Sequence, residues 1–295
     1  MKLSKAEAST LSRVFSAGVF RELEKSSKSR LLSRLFLASC LKDVVRAEDP
    51  MYEVLETAFR MLRLSDFRDD YVYRTAIVER ILLGRHSLNT ASVLSEFRVG
   101  KSKADLVIVN GTSTAYEIKS ERDSIARLPK QIDDYRSHFS RVVVVASANR
   151  VCQIEDLVPA DVGILTLSRR MALQTVRDPI ARPDLVDPAS LINSLRVSEA
   201  RSVVEHLGDD LPDVANTSIR RVLNVIIASK DPVEVHDAVF QVLRRSRSQA
   251  ALDDFVRGLP ISLHSIALAR NPSLRGQEHV KSALTATFGE ALTWR

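Results

Sequence analysis

The feature that most constrains this chain is the stretch "ADLVIVNGTSTAYEIKS", residues 104–120. Two short runs rich in Val, Ile and Tyr flank Asn110-Gly111, a dipeptide suited to a tight turn that needs positive φ. The pair reads as a β-hairpin. Side chains alternate between faces along a strand. Asp105 therefore shares a face with Val107 and Val109. Glu117 shares one with Lys119, while Tyr116, Ile118 and Ser120 take the other. Charges on such apolar strands mark either an exposed face with an ion pair or a metal site with a lysine beside it. A three-residue loop sets Asp105 directly opposite Glu117, whereas a two- or four-residue loop leaves them diagonal. The sequence leaves that register open.

The surroundings of the hairpin place it in a mixed α/β core. "DDYVYRTAIVERILLG" predicts a helix with Asp69 or Asp70 at its N-cap and Gly84 at its C-terminal stop. "ASVLSEFRVG" predicts a strand before the hairpin. "RLPKQIDDYRSHF" predicts a helix after it, with Pro129 in the first turn and Leu128, Ile132, Tyr135 and Phe139 on one side. "RVVVVAS" is a continuous β-branched run and reads as a buried strand, and "VGILTL" reads as another. Residues 69–176 thus form an α/β core built on a mixed sheet. Residues 1–68 read as an N-terminal helical region, with Ser4 as an N-cap and Asp49-Pro50 as a helix start. A proline-rich stretch opens a C-terminal all-helical region, residues 177–295.

Charge and cysteine usage narrow the class without deciding it. The excess of 43 Lys+Arg over 37 Asp+Glu is compatible with a polyanionic partner but small for 295 residues. Arg220, Arg221, Arg244, Arg245 and Arg247 in the C-terminal half suit either a nucleic-acid groove or solvated helix faces. Cys40 and Cys152 make no ligand pair, and no apolar run is long and uncharged enough to span a membrane. The expectation is a cytoplasmic, bacterial protein that does not engage membranes. No histidine–cysteine spacing suits zinc, and no glycine-rich phosphate loop is present.

The acids carry the chemistry. Glu79 has Val72, Thr75, Leu82 and Leu83 as wheel neighbours, so its carboxylate needs a partner, a proton or a metal. Asp105 and Glu117 on neighbouring strands repel unless a cation lies between them. Mg²⁺ suits such a site, taking one or two carboxylates, a carbonyl, waters and phosphate oxygens. A lysine on the same face orients a water and stabilises developing phosphate charge. Gln131 and Tyr135 lie four apart, on one stripe of the following helix.

The run "KADLVIVNGTSTAYEIKSE" resembles the PD-(D/E)XK nuclease superfamily, with Asp105, Glu117 and Lys119 matching its D…ExK motif. Ala104 stands where that motif has Pro. Glu79 matches the acid often found on the superfamily's first core helix, and Gln131 with Tyr135 match the Q-x₃-Y motif of its RecB-like branches. The chain also looks like a group of bacterial proteins carrying "ADL…YEIKS…Q…Y". The resemblance implies a restriction-endonuclease-like fold and a metal-dependent nuclease acting on DNA more than RNA, in phage defence, mobile-element or repair contexts. It implies that Asp105, Glu117 and the carbonyl of Ile118 hold Mg²⁺ or Mn²⁺, with Glu79 binding directly or through water. Lys119 would position the attacking water, and Gln131 and Tyr135 would steady the lysine or a phosphate. Lys101 and Lys103 would meet backbone phosphates, with Arg122 a weaker candidate that also suits pairing with an acid. An oligomer is compatible with the sequence. The alternative is a catalytically inactive nuclease-like fold that binds nucleic acid or a protein partner.

Overall fold

The computed structural model describes residues 3–64, 66–211 and 214–295. The N-terminal region folds into α1 (Lys5–Val14), α2 (Ala17–Ser26), α3 (Arg30–Leu37) and α4 (Met51–Leu64). Ser4 caps α1 in a reciprocal capping box with Glu7, as its position suggested. Ser16 accepts from the Val19 N–H and starts a new helix directly after α1.

The core opens with α5 (Asp70–Ile77), capped by Asp69. The helix does not stop at Gly84. It widens into a π-turn over Val78–Leu82 and continues as α6 (Leu83–Arg85). A Cβ on Gly84 would meet the Glu79 carbonyl at 2.9 Å, so this position is glycine to admit a close backbone approach rather than to end a helix.

Strands β1 (Ser92–Val99), β2 (Ser102–Val109) and β3 (Ser113–Lys119) form an antiparallel meander. Next come α7 (Leu128–Arg136), β4 (Arg141–Ala146), α8 (Val151–Glu155) and β5 (Gly163–Leu167), with β3, β4 and β5 parallel. A sixth strand, β6 (Leu173–Arg177), runs antiparallel to β5 beyond the strands that the sequence pattern announces. Its side chains are largely exposed, so it lacks the apolar alternation that announces a strand. The strands lie in chain order across one mixed sheet.

The C-terminal stretch comprises α9 (Pro188–Asn193), α10 (Val197–His206), α11 (Asn216–Ala228), α12 (Pro232–Ser246), α13 (Asp253–Arg257), α14 (Ile261–Arg270), α15 (Leu274–Thr285) and α16 (Phe288–Ala291). It supplies both faces of the sheet. One apolar cluster joins Val107, Ala115, Ile132 and Tyr135 to residues of α9–α12. The other joins Ile108, Tyr116 and Ile118 to α1–α5 and to α13–α16. Ties such as the Met51 N–H donating to the Ala286 carbonyl (2.9 Å) bind the chain's two ends into one layer. No helix among the described residues is long and apolar enough to cross a membrane.

Candidate active site

The loop between β2 and β3 is Asn110, Gly111 and Thr112, with Gly111 at φ +93°. Three residues fix the register that the sequence left open. Leu106 pairs with Tyr116 and Val109 with Ser113, which carries Asp105 opposite Glu117. The backbone ladder is interrupted there, because Asp105 Oδ2 accepts from the Ile118 N–H at 2.8 Å. A strand residue projects its N–H and C=O to the same edge, so the Ile118 carbonyl also projects towards β2. On the other side of Asp105, Glu96 of β1 adopts a left-handed conformation at φ +54°. A non-glycine residue held there is strained, and such residues cluster at functional sites.

Glu117 and Lys119 share the face covered by α7, and both are buried. Lys119 Nζ donates to Glu117 Oε1 at 2.7 Å and to Gln131 Oε1 at 3.0 Å. Gln131 Nε2 donates to Glu117 Oε1 at 2.7 Å, closing a triangle. The Tyr135 hydroxyl lies 2.7 Å from Glu117 Oε2 and 2.8 Å from the Lys103 carbonyl. Its single proton serves one acceptor at a time. Burial, with the Glu117 charge beside it, pushes the Tyr135 hydroxyl well above the ordinary phenol range, so it stays a donor. Tyr135→Phe removes this bond and is expected to cost about 1–3 kcal/mol, read as a lower midpoint in urea denaturation.

The Asp105 side chain is 24% exposed, more open than Glu117 and Lys119. Desolvation, then the Glu117 charge, pushes its carboxyl up to about 7. Arg74 opposes this, with Nη2 3.2 Å from Asp105 Oδ1 and Nη1 donating to the Asp105 carbonyl at 3.3 Å. Arg74 also pairs with Asp70 one helical turn earlier, at 3.2 Å. Arg74 and Asp70 border a cavity of about 270 Å³ that Arg13 and Glu96 also line. Neither Arg74 nor Asp70 is singled out by motif. The signal available was their i, i+4 spacing on the helix whose N-cap was already read from the sequence.

Glu79 is not brought into this group. Its carboxylate pairs with His264 Nδ1 of α14, which supplies the partner that its apolar neighbours required. The π-turn begins one residue before Glu79 and shifts the side-chain phase, so wheel arithmetic carried from α5 misplaces it. Among the described residues, no cluster of three or more His, Cys, Asp or Glu is arranged to hold a metal ion. Of the basic residues, Lys103 pairs with Glu96 at 3.0 Å and Lys101 is exposed beside the β1–β2 turn. Among the described residues Arg122 makes no close ion pair, although its charge acts on Asp69. It donates to the Phe67 carbonyl and stacks on the Phe67 ring, 6.0 Å from its centroid. In the C-terminal half, Arg220 caps the carbonyls of Ile192 and Leu195, and Arg247 pairs with buried Glu199. These two arginines serve packing.

The family described as bacteriophage P4 protein cII matches residues 64–270. The chain belongs to this family. The matched span contains Asp70, Arg74, Asp105, Glu117, Lys119, Gln131, Tyr135 and the Glu79–His264 pair, and excludes α1–α3 and α15–α16. The chain is similar to "Protein cII" of Enterobacteria phage P4, at 26% identity over 217 residues, covering 70% of this chain and 79% of that protein. No solved structure matches it. Neither the family description nor the relative's name states a chemical activity.

Proposed function

We propose that the protein is a metal-dependent nuclease of the PD-(D/E)XK type, acting on DNA. The observation that carries this reading is the convergence of Asp105, Glu117 and Lys119 on one sheet face, with Gln131 bonded to both the acid and the lysine. An ion pair so deeply buried is weak evidence for stability alone.

The donor set fits Mg²⁺ or Mn²⁺. Two carboxylates and the Ile118 carbonyl make an incomplete set of hard oxygens, which leaves positions for waters and a phosphate. When bound, the metal would polarise the scissile phosphate and lower the pKa of a water. Asp105 and Glu117 would hold it, while Lys119 keeps a proton donor beside the attacked phosphorus. Gln131 fixes the lysine, and Tyr135 fixes the far oxygen of Glu117. Arg13, exposed along the adjoining cavity, offers a guanidinium group to the nucleic-acid backbone.

The test is a panel of plasmid, linear duplex, single-stranded DNA and RNA, incubated with Mg²⁺, with Mn²⁺ and with chelator. The expected result is metal-dependent cutting with DNA preferred. Binding without cutting under every metal condition would support an inactive nucleic-acid-binding fold instead. Glu79→Gln is expected to leave cutting intact while lowering the melting temperature, because Glu79 serves His264 rather than the reacting group. Loss of cutting in that variant, with the fold retained, would return Glu79 to the site.

A further inference from the structure

The face of the hairpin opposite Glu117 floors a separate cavity of about 520 Å³. That volume lies within the range of small-molecule sites. Its floor is apolar, formed by Ile108, Val143 and Leu165 beside the ring of Tyr116. Its rim carries three guanidinium groups. Arg80 and Arg85 come from the π-turn and α6, and Arg141 opens β4, where it pairs in register with Thr114. Arg80 spends its Nε on the Met171 carbonyl at 3.0 Å. Among the described residues, the guanidinium groups of Arg85 and Arg141 have no hydrogen bond or ion pair. One lining acid, exposed Asp178, opposes them.

Arg85 and Arg141 line the same cavity as Tyr116. Burial pushes the Tyr116 hydroxyl up to about 12, and Arg85 and Arg141 are the charges that restrain it. Asn110 is also held ready, since its Nδ2 donates to His86 Nε2 at 2.9 Å and its Oδ1 is left as an acceptor. An aromatic and aliphatic floor, a rim of guanidinium groups and one fixed amide form a complementary surface for a flat heterocycle bearing a phosphate.

We infer that this cavity binds a nucleoside mono- or diphosphate, with its phosphate against Arg85 and Arg141 and its base on the floor beside Tyr116. The volume suits one nucleotide rather than a strand. None of these residues takes part in the proposed cleavage, so the inference stands or falls apart from that reading.

Calorimetry in metal-free buffer with chelator tests it, using AMP, ADP, GMP, adenosine, inorganic phosphate and a short single-stranded oligonucleotide as probes. At least one nucleotide is expected to bind once, on the order of micromolar. Adenosine and phosphate are each expected to bind more weakly by about tenfold or more. Arg85→Ala and Arg141→Ala should each weaken the nucleotide by a similar factor. Ala172→Trp, on the exposed rim, narrows the cavity and should also weaken binding without relying on either arginine. The inference is overturned if no nucleotide binds or if phosphate binds as tightly as the nucleotides. It is equally overturned if only the oligonucleotide binds, or if binding survives unchanged in the folded variants.

Discussion

Lys119→Ala is expected to abolish detectable DNA cleavage and also to destabilise the protein. Among the described residues, the lysine is the sole cation bonded to Glu117, which lies buried beneath α7. Removing one partner of a buried ion pair costs about 3–5 kcal/mol, because the other charge is left uncompensated. Gln131 and Tyr135 remain as donors to Glu117 and limit the loss. Stability alone therefore does not identify the role of the lysine. A double-mutant cycle measures the share of the loss that comes from the stranded charge. Glu117→Gln with Lys119→Met removes both charges and is expected to recover much of the stability lost in Lys119→Met alone. The part the lysine plays in the reaction is read from Lys119→Met itself, assayed without denaturant at a temperature where that variant is fully native. No cleavage is expected there, and cleavage near the wild-type rate would show that Lys119 acts only through the fold.

Asp105→Asn separates the two effects further, because activity and stability move in opposite directions. Burial and the Glu117 charge raise the Asp105 carboxyl from its ordinary value of 3.8 to about 7. A carboxyl raised on folding favours the protonated native state. Its contribution is complete below the unfolded value, is lost as pH rises between about 4 and about 7, and is absent above that. Metal-free wild type should therefore lose stability across this window by an amount on the order of a few kcal/mol. Asparagine carries no such charge, so Asp105→Asn should flatten that profile and melt higher than wild type at pH 8 in chelator. The same variant should not cleave, because a metal-binding carboxylate is gone. For wild type, metal binding must displace the Asp105 proton, so cleavage should fall as pH drops below about 7. A flat stability profile in wild type would remove the basis for both expectations.

Most of the reacting group was legible because it is local. Alternation put Glu117 with Lys119, and four-residue spacing put Gln131 with Tyr135 on the stripe facing them. The hairpin was legible from Asn110-Gly111, yet its register waited on counting a loop that ends at Thr112. What stayed hidden depends on contacts between distant segments or on broken periodicity. Arg74 meets Asp105 across 31 positions, and His264 meets Glu79 across 185. Strand β6 is an exposed edge whose residues carry no strand pattern. The division of the C-terminal helices between the two faces of the sheet also has no local signature, since each helix presents an apolar stripe whichever face receives it.

The most direct measurement is cleavage of a labelled duplex DNA by wild type and by Glu117→Gln under single-turnover conditions. Each protein is incubated with Mg²⁺ and with chelator. The predicted result is cutting by wild type with Mg²⁺, none with chelator, and none by a folded Glu117→Gln in either condition. Cutting that persists in Glu117→Gln, or a wild type that binds the duplex and leaves it intact with Mg²⁺, would contradict a nuclease site built on Asp105, Glu117 and Lys119.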